Sequence, residues 1–155
     1  MKICLSLGEN DIIRSGYVNI DPLCDPNHPQ RIKADIGNLG LYADPGEVVE
    51  LVAIDILDYV NIGQKEEVLN GWLNLIAING QIVLGGTDLT QATKAFAFGH
   101  IDLQKVNNLL YGQQIAKSGV TTCHQLCTLL SSKGYRIVEK KILDFSYIVK
   151  AERIN

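Results

Sequence analysis

The stretch Lys2 to Asp21, KICLSLGENDIIRSGYVNID, joins two apolar strand patterns through a polar turn and ends on a carboxylate. Ile3, Leu5 and Leu7 alternate with smaller residues and run into Gly8. That is the pattern of a buried strand meeting a tight turn, one that needs positive φ or close approach of a ligand. Tyr17, Val18 and Ile20 form a second strand that stops at Asp21. In open α/β sheets ligands lie beyond the carboxyl ends of the strands, which sets Gly8 and Asp21 on neighbouring rims of one crevice. An acid at that place can accept both hydroxyls of a ribose. A glycine after a strand is by itself only a turn signal; the run through Asp21 gives it a binding reading.

The segment LGENDIIRSGYVNID resembles, without a gap, the opening motif of small class I methyltransferases that use S-adenosylmethionine (SAM), commonly LGCGNDIRKGYVNID. The resemblance implies that Gly8, Glu9 and Asn10 face the methionine part of SAM and that Asp21 holds its ribose. Glu9 and Asn10 stand where the family has Cys and a second Gly. Asn tolerates positive φ better than most residues but carries a side chain into the space a glycine leaves open. Glu9 adds a carboxylate near where the carboxylate of SAM would lie.

A chain of 155 residues suits one domain spanning 1–155 and buries roughly 70% of its unfolded surface without a staple. Hydrophobic content of 46%, charged content of 20% and a net charge of -3 describe an ordinary globular protein and argue against nucleic acid as a partner. No apolar run approaches the ~20 residues of a membrane span, and Met1 leads straight into a strand pattern. The expectation is a cytoplasmic protein. Four scattered cysteines, Cys4, Cys24, Cys123 and Cys127, read as reduced and buried. Cys123 and Cys127 share a helix face, but His124 lies off it and no second ligand pair follows, so no metal site is expected.

PLCDPNHPQ, from Pro22, holds three of the four prolines and reads as an irregular loop, with His28 inside it. Arg31 to Ala34 reads as a short third strand ending at Asp35. KADIGNL is similar to the family's VADLTNL, which implies that Asp35 binds the adenine amino group; a turn cap is the other use of Asp there. Val48 to Ile54 is a nearly all-apolar run that suits a parallel strand covered on both faces. It leads into AIDILDYV, which resembles the family's ASHVLEHF, a segment bordering both SAM and the methyl acceptor. Asp55 and Asp58 are therefore candidates for catalysis, Asp55 also for cofactor binding, and Tyr59 for contact with the acceptor in place of the family's His.

From Gln64 to Ala77 the spacing of Val68, Leu69, Trp72, Leu73, Leu75 and Ile76 predicts an amphipathic helix, with Trp72 as a core anchor. Asn79 and Gly80 end it, and Gln81 to Leu84 gives a fifth strand. Asp88 caps a helix to about Phe98, and Asp102 caps another through Leu110, with Gly99 and His100 between them. His100 is a further catalytic candidate. LLYGQQ resembles the family's IYGGQ turn, which makes Tyr111, Gly112 and Gln113 candidate walls of the acceptor pocket. Thr121 or Thr122 caps a last helix closed by Gly134, and Tyr135–Leu143 and Phe145–Ala151 form an antiparallel hairpin.

The sequence thus implies a Rossmann-like SAM-methyltransferase fold of the α/β class, with a mostly parallel sheet flanked by helices and an antiparallel last hairpin. Only nine residues separate Leu7 from Tyr17, too few for a helical crossover, so the first connection is irregular. A nicotinamide enzyme is disfavoured because G-x-G-x-x-G is absent. The activity implied is methyl transfer from SAM to an O or N of a small-molecule or glycan-type acceptor. The alternative is a methyltransferase-like domain that has lost turnover and binds a metabolite or a protein partner, which Glu9, Asn10 and Tyr59 favour.

Overall fold

The structure, a computed structural model, describes residues 1–8 and 13–155. Six strands form one sheet: β1 (Lys2–Leu5), β2 (Val18–Ile20), β3 (Val48–Ile54), β4 (Ile76–Thr87), β5 (Tyr135–Leu143) and β6 (Ser146–Arg153), in the spatial order β2-β1-β3-β4-β6-β5. β1 pairs in parallel with both β2 and β3, and β3 pairs in parallel with β4. β6 returns antiparallel against β4 and carries β5 at the edge. The sheet is mostly parallel with an antiparallel carboxyl-terminal hairpin, as the sequence implied.

The register sorts side chains onto two different faces. One row crosses the sheet as Val18, Ile3, Leu51, Ile82, Ala151 and Ile137, and it belongs to the apolar core. Against that face pack Leu69, Trp72, Leu73 and Leu75 of α1 (Lys65–Leu75) and Cys123, Leu126 and Leu130 of α4 (Cys123–Ser132). The adjacent row, Lys2, Glu50, Gln81, Glu152 and Arg136, lies on the opposite face and is half-buried or exposed. There Glu50 accepts from Tyr17 Oη at 2.7 Å and pairs with Lys2 at 3.0 Å. Desolvation raises the Glu50 carboxyl, yet the hydrogen bonds from Tyr17 and Lys2 outweigh it and leave its pKa below the usual value. A parallel sheet usually carries α-helices on both faces; here the described residues between β2 and β3 hold only the short 3-10 turn Leu39–Leu41, and charge spreads over this part of the opposite face.

Two sequence expectations are corrected. Arg31 to Ala34 forms no strand: Ile32 alone bridges Ile20, through Asp21 N to Ile32 O at 3.0 Å and Ile32 N to Asn19 O at 2.8 Å. Arg31 is drawn inward to a buried carboxylate instead of extending the ladder. The helix expected to run to Ala77 stops at Leu75, and Asn79 and Gly80 lie inside β4, where a bulge shifts the register against β3. Asn79 takes φ +63, and a Cβ on Gly80 would stand 2.8 Å from Ala77 O, so the bulge admits only glycine there.

The helix starts fall where the caps predicted. Asp88 Oδ1 accepts from Gln91 N at the head of α2 (Leu89–Ala97), and its Oδ2 accepts from Cys123 N at the head of α4. One buried carboxylate thus serves two helix ends. Asp102 caps α3 (Leu103–Tyr111) and Thr122 caps α4. No helix among the described residues is long and apolar enough to cross a membrane.

Candidate functional site at the carboxyl rim

β1, β2, β3 and β4 all point their carboxyl ends at one rim, where Gly8, Asp21, Asp55 and Thr87 stand. Among the described residues three cavities open along it, and Tyr59 lines all three. The first, about 340 Å³, is walled by Asp35, Ile36, Asn38, Val60 and Gln64 beside Tyr59. The second, about 410 Å³, lies among Asp55, Thr87, Leu109, Lys117, Asp144 and Phe145. The third, about 370 Å³, runs from Leu7 to Asn108, Gln113 and Lys117. A fourth, about 280 Å³, is a groove between α1 and α4 lined by Leu57, Leu69, Leu126 and Leu129.

Local chemistry fixes each wall. Asp35 is exposed, its Oδ1 accepts from Gly37 N at 2.8 Å, and the resulting turn presents Ile36 and Asn38 to the first cavity. Trp72, buried in the core, donates its indole N–H to Ile36 O at 2.7 Å and so fastens that turn to α1. Asp55 takes φ +58 where β3 ends and donates its N–H to Gly85 O at 3.1 Å, which leaves its side chain exposed at the second cavity. Gln113 follows Gly112, whose φ of +78 turns the chain out of α3.

Two carboxylates of the rim are fully buried. Asp21 Oδ2 accepts from Gly8 N at 2.9 Å, from Ser6 Oγ at 3.3 Å and from Arg31 Nη1 at 2.9 Å, while its Oδ1 accepts from Leu23 N at 2.8 Å. Arg31 also donates to Gly8 O at 2.5 Å, so the pair grips the turn after β1 from both its N–H and its C=O. Asp58 Oδ2 accepts from Thr87 N at 3.0 Å and from Lys117 Nζ at 3.2 Å. Its Oδ1, 2.9 Å from where a Cβ on Gly86 would lie, has no hydrogen-bond partner among the described residues. The main-chain oxygen of Asp58 accepts from Ser118 N and Gly119 N, tying the segment after α3 to the rim.

The sequence candidates therefore divide. Asp35, Asp55, Tyr59 and Gln113 line the rim cavities. Gly8 and Asp21 stand beside them, Asp21 inside the ion pair. Asp58 lies beneath the rim, under Thr87 and Lys117. Tyr111 is 65% exposed, His100 sits in the α2–α3 turn with its ring 6.3 Å from Phe98, and neither lines a rim cavity. Glu9 and Asn10 lie outside the described residues. His28 accepts from Gln30 N within its own loop. Burial, reinforced by the neighbouring Cys127, pushes the Cys123 thiol up to about 11, which makes it an inert core group. Sequence reasoning missed Arg31, Thr87 and Lys117. Arg31 was visible only as a charge in an apolar strand pattern, and Lys117, inside QQIAKSG, carried no signal.

No protein-family model and no curated protein matches the sequence. Solved structures do. The chain superposes on the Burkholderia thailandensis 1,6-didemethyltoxoflavin-N1-methyltransferase with bound S-adenosylhomocysteine (SAH) at a TM-score of 0.58 and 10% identity, over 90% of this chain and 61% of that one. The magnesium protoporphyrin IX methyltransferase from Synechocystis, also with SAH, gives 0.56 at 13% identity, over 91% of this chain and 66% of that one. A SAM-dependent methyltransferase from Methanosarcina mazei gives 0.61 at 12% identity, over 99% of this chain and 92% of that one. The fold is that of the class I SAM-dependent methyltransferases. The chain spans about three fifths of the Burkholderia enzyme's length.

Proposed function

We propose that this chain binds SAM at the carboxyl rim and transfers its methyl group to an oxygen or nitrogen of a small-molecule or glycan-type acceptor. The carrying observation is that three cavities with distinct linings meet at one side chain, Tyr59. In this reading the cavity at Asp35 takes the adenine end, with the Asp35 carboxylate as acceptor for an amino group and Ile36 and Val60 as apolar walls. Gly8, at φ +112, has nothing among the described residues within 4 Å of where a Cβ would stand, which suits a turn that receives the methionine end. Asp21 is fully buried and already accepts from four protein donors, three of them on Oδ2, so a ribose hydroxyl reaches it by displacing one of these contacts.

When bound, SAM supplies an electrophilic methyl carbon whose bond to sulfur breaks as the acceptor's lone pair bonds to it, leaving neutral SAH. The protein's part is positioning, which substitutes for lost translational and rotational freedom. Tyr59 stands between the adenine-side and acceptor-side cavities and aligns the two ligands. Asp55, exposed on the acceptor-side cavity, takes up the proton released by the nucleophile. Isothermal titration tests the assignment: Asp35→Ala weakens SAM binding by about tenfold, as expected for one lost hydrogen bond to a ligand, whereas His124→Ala, on the exposed side of α4, leaves it unchanged. Equal affinities in Asp35→Ala and the parent would overturn the adenine placement.

A further inference from the structure

Resting on that reading, the rim holds a charge that bears on which form of the cofactor it prefers. Lys117 Nζ donates to Thr87 Oγ1 at 2.6 Å and to Asp58 Oδ2 at 3.2 Å, and lies 5.8 Å from the centre of the Tyr59 ring. Its side chain is only 10% exposed, yet it lines both the acceptor-side cavity and the one that runs from Leu7 to Gln113. The ammonium is thus part of a wall common to two cavities. It is also fixed there: Ser118 N and Gly119 N donate to Asp58 O, Ile62 N donates to Ser118 Oγ, and Lys65 Nζ donates to Gly119 O at 2.6 Å.

We propose that Lys117 is an internal cation that makes this chain bind SAH in preference to SAM. The two ligands differ by one methyl group and one positive charge, so a fixed cation near the sulfur discriminates between them by like-charge repulsion. Little solvent surrounds the Lys117 side chain to screen that repulsion. Asp58 balances Lys117 from beneath, at zero exposure, so a ligand in either cavity meets the ammonium before the carboxylate. Asp55 and Asp144 also line the acceptor-side cavity and attract a cation, but both are exposed and screened by water. The Tyr59 face, a cation–π surface suited to a sulfonium, already has Lys117 over it.

The test is titration of the parent, Lys117→Met, Lys117→Arg and Asp58→Asn with SAM and with SAH separately, read as the ratio of their dissociation constants. The parent binds SAH more tightly; Lys117→Met shifts the ratio about tenfold toward SAM, Lys117→Arg preserves it, and Asp58→Asn, which removes the balancing charge, shifts it further toward SAH. A purely structural role would change both affinities together and leave the ratio alone. A ratio in Lys117→Met within about twofold of the parent overturns the proposal. Should one variant fail to fold, the opposite sign required of the other still decides. Binding of both ligands with an unmoved ratio sinks this inference alone, whereas a parent that binds neither ligand sinks the methyltransferase reading with it.

Discussion

Asp21 and Asp58 are both buried at the carboxyl rim against a cation, and they differ in where their partners come from. Asp21 is served by Ser6, Gly8, Leu23 and Arg31, all within one early stretch of chain. Asp58 draws on Thr87, Lys117, Ser118 and Gly119, from the end of β4 and from beyond α3. The first pair closes a local loop with a donor on each carboxylate oxygen. The second staples three distant segments and leaves one oxygen, Asp58 Oδ1, with no partner among the described residues. A buried pair of either kind is costly to halve, because the remaining charge stays out of water. How costly depends on whether that charge can escape.

Arg31 has no route out: its side chain is 2% exposed and its guanidinium also holds Gly8 O. Asp21→Ala therefore lowers unfolding free energy by about 3–5 kcal/mol in urea titrations. Asp58→Ala costs less, about 2–3 kcal/mol, because Lys117, once released from Asp58, has a long stem that can turn its ammonium into the two cavities it borders. Equal losses would mean that the two pairs are energetically alike and that the distinction between them is only one of chain distance.

Alkaline pH separates the pairs further. Tyr147 is buried in the core, and its phenol pKa is raised by burial first and by the Asp58 carboxylate second. Burial also pushes Tyr135 up to about 12, while its hydroxyl donates to Leu73 O at 2.7 Å. Both phenols are held neutral in the folded state and ionise near 10 when unfolded. Their contribution is complete below pH 10 and is lost as pH rises toward 12, with a slope of up to ~1.4 kcal/mol per pH unit for each group. Melting temperatures followed from pH 8 to 12 show a shallower alkaline loss in Tyr147→Phe, where one of the two phenols is gone, and the parent slope in a variant of Arg31. The smallest effect belongs to an exposed pair: Arg136→Ala, which removes the 3.0 Å contact to Glu152 at the sheet edge, changes stability by less than about 0.5 kcal/mol.

The same division explains what could be read from the sequence. The caps Asp88, Asp102 and Thr122 are set by main-chain N–H groups three residues on, and Gly8 and Asp21, 13 residues apart, lie within one continuous motif, so their spacing announces them. The antiparallel hairpin follows from alternation on either side of a short turn. Arg31 misled because an apolar pattern around it, Ile32 to Ala34, reads as a strand, while a buried Asp21 pulls the guanidinium inward. The start of β4 at Ile76 was hidden because Ile76 and Ala77 continue the helical spacing of α1. Lys117 was invisible for a different reason: its partner lies 59 residues away, and no local period encodes it.

We propose that the rim around Tyr59, and not the groove between α1 and α4, takes the cofactor. Amide chemical-shift mapping of isotope-labelled protein titrated with SAH decides between them. Binding at the rim perturbs Gly8, Ile36, Gly37, Tyr59, Asn61 and Lys117 and leaves Gln125 and Leu129 of the groove unmoved. Shifts confined to Leu69, Gln125 and Leu129, or none at saturating SAH, would contradict it.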